Sequence, residues 1–290
     1  MEIHRLIEQI NQQNATCFTL TERCEAGYQG GAHVLTDAAG QNAILKLGLG
    51  AQAAPIVSRL RELGYPTPAY QYMGSSLDGI NNGIDYVVQD FMSGSPLTNL
   101  TEAILKELLQ AIALQGEQAI STERNWSTYA YNVVFNDESG WANKLRNYSA
   151  ETAELLSKLE AITMPYINAE LPNGDIVHGD VDYDNILIHN GALSGIVDTA
   201  AAGCGTRTID LMTVLQGVYY YDSDIEGIFK GRIYQAIVDA AEPATYMICL
   251  AYRIMAMVSW SIQHHSSDSV RFYVRHSWDM VDKFMSDKCK

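Results

Sequence analysis

Residues 176–198, IVHGDVDYDNILIHNGALSGIVD, crowd four aspartates into one short β-rich island. Asp180, Asp182 and Asp184 fall within five residues, and Asp198 closes the stretch. Carboxylates packed this closely repel and require a cation nearby. The apolar runs Ile186–Ile188 and Ile196–Val197 flank Asn190-Gly191, a strong tight-hairpin signal. Such a hairpin sets Asn185 and Asp198 side by side at one end, where both can touch one ion. An aspartate, an asparagine five residues later and a second aspartate at the end of a following strand suit metal-assisted phosphoryl transfer. In that reading Asp180 orients a hydroxyl and takes its proton, while Asn185 and Asp198 offer oxygen ligands to Mg²⁺.

The rest of the chain supplies the setting. Ile3, Leu6, Ile7 and Ile10 line one face of an opening helix. Strand character follows at 17–22, 32–37, 42–48, 70–75 and 85–92, a five-stranded antiparallel sheet within residues 1–93. Pro55 opens a helix that Gly64 and Pro66 end. Past SGSPL (93–97) the pattern turns helical, at 101–120 and 149–167, and again at 208–221, 224–240, 243–264 and 268–286. Residues 126–148 are ambiguous between helix and strand. The layout is α+β, with a small β-rich lobe (1–93), a hinge near 89–95 and a mostly helical lobe (94–290).

Composition narrows the partners. A net charge of −15 and a pI of about 4.8 exclude a general basic surface for nucleic acid. The same acidity keeps a surface soluble or steers a cationic ligand inward. Five irregularly spaced cysteines without a CxxC pair argue against a disulfide framework and a zinc site, and for the reducing cytoplasm. The N-terminus is not a signal peptide. The most apolar run, 244–260, contains Arg253 and reads as a buried helix rather than a membrane span. A monomer and a homodimer both fit.

At HGDVDYDN and GIVD the chain resembles the aminoglycoside phosphotransferase family, the protein-kinase-like antibiotic and small-molecule kinases. AGCGTRTIDL (202–211) resembles that family's segment in which an Asp-Leu pair opens a helix. The resemblance implies a protein-kinase-like two-lobe fold and an ATP- or GTP-dependent kinase using Mg²⁺. His178 and Asp210 would support the catalytic loop, and Asp198 would be the metal-binding aspartate at a strand end. Lys46, in the apolar run AILKLG, resembles the strand lysine that contacts the α- and β-phosphates; a lysine snorkelling from an edge strand is the competing account. The turn EAGYQGG, with Gly27, Gly30 and Gly31, would lay backbone amides on phosphates, although it lacks the full G-x-G-x-x-G pattern and also suits an ordinary hairpin. YVVQDFMSGSPL resembles the hinge, with adenine bonded to backbone near Asp90 and Met92 and Gln89 at the back.

One departure stands out. The family pairs its strand lysine with a helix glutamate, whereas Glu62 here lies near the end of the helix. Either another carboxylate, such as Asp198, holds Lys46, or the helix sits differently. The acceptor implied is a small cationic molecule carrying a hydroxyl, an aminoglycoside or basic peptide antibiotic first. Choline-, homoserine-, methylthioribose-, fructosamine- and macrolide-type kinases, and an inactive kinase-like binding protein, are the alternatives. Asp182, Asp184, Asp222, Asp224 and Glu226 are candidates to hold the acceptor, against a plain solvated-loop role. Tyr219–Tyr221 and Trp260 read as core before pocket wall, and His264-His265 as a surface pair.

Overall fold

The computed structural model describes residues 2–24, 32–48, 51–76, 83–221 and 227–286. Gly27, Gly30, Gly31, Asp222, Asp224 and Glu226 lie outside the described residues. The chain divides into two compact units, Met1–Pro96 with Asp184–Ala202, and Leu97–Tyr183 with Gly203–Lys290.

The first unit opens with helix α1 (Glu2–Asn14). Five strands follow: β1 (Thr19–Cys24), β2 (Ala32–Thr36), β3 (Asn42–Leu47), β4 (Tyr70–Ser75) and β5 (Asp85–Asp90), with helix α2 (Ala54–Glu62) between β3 and β4. They form one sheet in the order β1-β2-β3-β5-β4, every pair antiparallel. Leu6, Ile7 and Ile10 recur at helical spacing and bury against Phe18, Leu35, Leu45, Tyr86 and Val88.

Strands β6 (Ser95–Pro96), β8 (Ile186–His189) and β9 (Ala192–Ile196) make a second sheet in the same unit. Asn190 and Gly191 take φ of 51° and 79°, as a tight hairpin with two left-handed positions demands. Dividing the chain at residue 93 assigns this hairpin to the helical lobe, but its bonds run to the first unit. Ser95 pairs with Ile188, the Ile196 amide donates to the Pro66 carbonyl at 2.6 Å, and the Ser194 hydroxyl donates to the Ser93 carbonyl at 2.7 Å.

The second unit contains α3 (Glu102–Ala113), α4 (Trp126–Asn136), α5 (Trp141–Tyr148) and α6 (Ala150–Thr163), then α7 (Thr208–Tyr221), α8 (Ile228–Ala240), α9 (Pro243–His264) and α10 (Ser267–Ser286). A short antiparallel pair, β7 (Asp175–Val177) and β10 (Gly203–Gly205), accompanies them. The stretch 126–148 resolves into two helices because polar residues cut it. Asn125 caps α4 by accepting from the Thr128 amide at 2.9 Å. Asp137 leaves α4 in a left-handed conformation and accepts from the amides of Ala142 and Asn143 at 2.8 and 3.1 Å, capping α5. The long apolar helix α9 is largely buried within this unit, as a core helix is.

Candidate active site

In the first unit, Lys46 sits on the central strand β3, paired across the sheet with Ala32 and Val87. Its Nζ lies 2.9 Å from Asp198 Oδ1. Glu62, at the end of α2, instead bonds Arg59 at 3.0 Å. Lys46 thus takes its carboxylate from the hairpin rather than from the helix. Asp198 follows β9 in a left-handed conformation, φ 64° and ψ 55°, which aspartate tolerates better than most residues. The next residue, Thr199, is buried and shares a 2.8 Å hydrogen bond with the Tyr70 hydroxyl, anchoring the turn. Burial raises the pKa of Tyr70, with the Asp198 charge adding to the rise, so it stays a neutral phenol.

Asn185 stands at the start of β8, and its carbonyl accepts from the Val197 amide at 2.9 Å. The hairpin therefore brings Asn185 next to Val197 and close to Asp198. Both side chains carry oxygen donors, and an Asp198 oxygen already faces a cation. That donor set suits Mg²⁺, which takes one or two protein oxygens and completes its shell with phosphates and water.

At the end of β5, Gln89 is buried and pairs with Ile44 and Tyr70. The Asp90 amide donates to the Ala69 carbonyl at 2.9 Å, so it is committed to the strand ladder. The Asp90 carboxylate accepts from the Ala69 amide at 3.1 Å and from Gln71 Nε2 at 2.8 Å. Asp90 thereby clasps β4 to the end of β5. The Met92 side chain lies against Gly195, where an added Cβ would come within 2.7 Å of its Sδ and Cε.

In the second unit, His178-Gly179-Asp180 follows β7. Asp210, in the first turn of α7, is fully buried. Its Oδ2 accepts from the His178 amide at 2.7 Å and from Gln115 Nε2 at 2.9 Å, and its Oδ1 accepts from the Gly179 amide at 2.9 Å. Burial pushes its pKa up to about 6, against the pull of these bonds and of the Arg253 charge. Gly179 has φ +85°, and a Cβ there would stand 2.5 Å from the Trp126 ring, so the position admits only glycine. His178 is buried and its Nδ1 accepts from the Asp180 amide at 3.3 Å. The backbone on both sides of Gly179 is thus held, and Asp180 leaves it half-buried.

Asp182 is half-buried and accepts from the Tyr183 amide at 2.7 Å, whereas Asp184 is exposed. Tyr220 is buried and bonded to Ser277 and Gln216, a core residue, while Tyr221 is exposed. Trp260 packs its ring on His264 and His265.

Sequence reading passed over one group of side chains. Trp126, Tyr129, Trp141 and Tyr252 converge with ring centroids 5.8–6.4 Å apart. Trp126 is the ring that fills the space beside Gly179. Burial raises the pKa of the Tyr252 hydroxyl, with the Asp180 charge a minor addition.

The sequence profile of the phosphotransferase enzyme family matches residues 33–247, well over half of the chain. The chain belongs to that family. The resemblance carried by HGD, Asn185, Asp198 and Asp210-Leu211 holds at the family level, and the enzyme is a phosphotransferase with the family's kinase-like α+β fold. Solved phosphotransferases share this fold at low identity. The aminoglycoside phosphotransferase APH(4)-Ia aligns with TM-score 0.67 at 13% identity, over 96% of this chain and 98% of that one. A thermostable mutant of it was solved as a ternary complex with ADP and hygromycin B, and aligns with TM-score 0.64 at 14% identity, over 95% and 97%. The choline kinase LicA from Streptococcus pneumoniae aligns with TM-score 0.57 at 11% identity, over 99% and 100%. Macrolide 2′-phosphotransferase MphH from Brachybacterium faecium aligns with TM-score 0.56 at 12% identity, over 94% and 97%. No curated protein sequence matches the chain.

Proposed function

We propose that this phosphotransferase moves the γ-phosphoryl group of ATP, with Mg²⁺, to a hydroxyl of a small cationic molecule in the cytoplasm. The reading rests above all on Lys46 facing Asp198 at 2.9 Å beside Asn185, a cation already set against the proposed metal carboxylate. Asn185 and Asp198 would hold the ion, whose charge offsets that of the triphosphate. Lys46 would bind the α- and β-phosphates. The Met92 backbone, with Gln89 behind it, would take the base, and the turn bearing Gly27, Gly30 and Gly31 would cover the phosphates.

Asp180 accepts a hydrogen bond from the acceptor hydroxyl and aims its oxygen at the γ-phosphorus. As the new O–P bond forms, the bond from phosphorus to the β–γ bridging oxygen breaks and ADP leaves. The hydroxyl proton passes to Asp180. The two backbone bonds to Asp210 keep Asp180 in place, so most of the catalytic effect is positioning and charge stabilisation.

The acidic chain fits a cationic acceptor, and an aminoglycoside or basic peptide antibiotic is the first class to try, which would make the enzyme a resistance determinant. Asp182, Asp184, Asp222, Asp224 and Glu226 are the carboxylates that would meet ammonium groups. A second reading, a compact amino alcohol, is favoured by the aromatic cluster beside Asp180. An ATP-consumption screen over aminoglycosides, basic peptides, macrolides, choline and homoserine tests the proposal. Acceptor-dependent ADP release supports it; neither turnover nor Mg·ATP binding would point to an inactive binding protein.

A further inference from the structure

We propose that Trp126, Tyr129, Trp141 and Tyr252 form the acceptor's cation subsite, and that it takes an alkylated ammonium carried two or three bonds from the hydroxyl that is phosphorylated. This rests on the reading of Asp180 as the group that receives the acceptor proton.

The placement comes from the contact of Trp126 with Gly179. The Trp126 indole occupies the space beside Gly179, one residue from Asp180, where a Cβ would lie 2.5–2.9 Å from three of its ring atoms. Tyr252 joins it with its ring centroid 6.3 Å from that of Trp126; burial raises its hydroxyl pKa, with the Asp180 charge a minor addition. A hydroxyl at Asp180 therefore has aromatic surface as its immediate neighbour.

The rings are arranged for a cation. Trp126–Tyr129, Trp126–Tyr252, Tyr129–Tyr252 and Tyr129–Trp141 all meet edge to face, with interplanar angles of 64–86°. Edge-to-face contact sets one ring's edge on a neighbour's face, so a cation would meet the surface left open on the outer rings. Tyr252 is buried, but Trp126, Tyr129 and Trp141 remain partly open. A cation already uses this surface: the Arg124 guanidinium lies 5.8 Å from the Trp126 centroid. Glu138 acts on Tyr129 against Arg124, so carboxylates stand near the cluster at Glu138 and at Asp180.

The chemistry of the cation follows. A primary ammonium directs three N–H donors and is best held by acceptor oxygens. An alkylated ammonium spreads its charge over methyl groups that pack on ring faces, and aromatic surfaces recognise it for that reason. Four rings beside one carboxylate match the second pattern, and the seat of Trp126 against Gly179, the residue before Asp180, matches a compact amino alcohol.

The test uses the full-length enzyme, with choline as the alkylated ammonium, 3,3-dimethylbutan-1-ol as its uncharged isostere and hygromycin B as a polyamino acceptor. Binding is followed by tryptophan fluorescence, since Trp126 and Trp141 would report occupancy, and phosphorylation by ADP release. Choline should bind at least about tenfold more tightly than the isostere. Trp141→Leu and Tyr129→Leu should each raise the choline KM about tenfold or more with the KM for ATP unchanged, while Tyr129→Phe, which keeps the ring, should stay near wild type. Equal affinity for choline and the isostere, or choline constants unmoved in both leucine variants, would overturn the proposal. Phosphorylation of hygromycin B with no choline binding would overturn the subsite and leave phosphoryl transfer standing. Ring-dependent choline binding without turnover of any acceptor would do the reverse.

Discussion

Asp210 is fully buried and accepts three hydrogen bonds, two of them from backbone amides, whereas Asp198 is 41% exposed and faces one flexible lysine. The first carboxylate belongs to the unit that carries Asp180, the second to the unit that carries the sheet and Asn185. Amides of the main chain cannot swing away, so Asp210 defines one conformation of the loop. Lys46 can, so Asp198 can exchange one cation for another. Under the proposed function, the contrast gives rigidity to the loop that carries Asp180 and adaptability to Lys46 and Asp198.

The largest expected effect is at the rigid end. Asp210→Ala strands the amides of His178 and Gly179 and the Gln115 side chain, and should cost about 3 to 5 kcal/mol in urea unfolding, with a large loss of turnover. A loss below about 1 kcal/mol would remove the distinction between the two carboxylates. Lys46→Met probes the other end. A partly exposed ion pair contributes only about 0 to 1 kcal/mol, so stability should barely change while the KM for ATP rises about tenfold or more. Destabilisation comparable to that of Asp210→Ala would show that Lys46–Asp198 is structural instead.

A smaller, pH-dependent effect separates them further. The pKa of Asp210 is raised from 3.8 to about 6, so between these values the folded state binds more protons than the unfolded one. Its contribution to stability is therefore greatest below pH 3.8 and declines as pH rises to about 6. Turnover should move the other way. Gln115 Nε2 and the amides of His178 and Gly179 all donate to this carboxylate, and Arg253 faces it from α9, so an added proton finds no acceptor there. Activity should fall below about pH 6, roughly tenfold by one unit lower, while stability does not. Asp210→Asn, whose N–H₂ meets the same donors as that proton, should turn over slowly at every pH and show no acid limb near about pH 6; an unchanged limb would assign it to another group.

How much of this was readable in the chain follows from how local each feature is. Asn190-Gly191 encodes its own turn, and the turn brings Asn185 toward Asp198 without help from the rest of the fold. HGD, with Asp210-Leu211 downstream, is a linear pattern and identified the family. Lys46 stood out because an interior strand charge needs a partner, and Asp198 was among the carboxylates that could serve. The hairpin's attachment to the first unit depends on bonds to Pro66, Ser93 and Ser95, which no periodicity announces. The aromatic cluster was harder still. Trp126, Tyr129 and Trp141 come from a stretch whose helices are set by caps at Asn125 and Asp137, and Tyr252 comes from the middle of a core helix. Only tertiary packing joins them.

The division of labour is tested most directly at Asp180. Mg·ATP affinity and the rate of γ-phosphoryl transfer are measured together for wild type and Asp180→Ala, with whichever acceptor the screen identifies. The account predicts nucleotide affinity within about twofold of wild type and a transfer rate lower by about 10² to 10⁴. A variant that keeps more than about a few per cent of its activity, on the same scale, would contradict it.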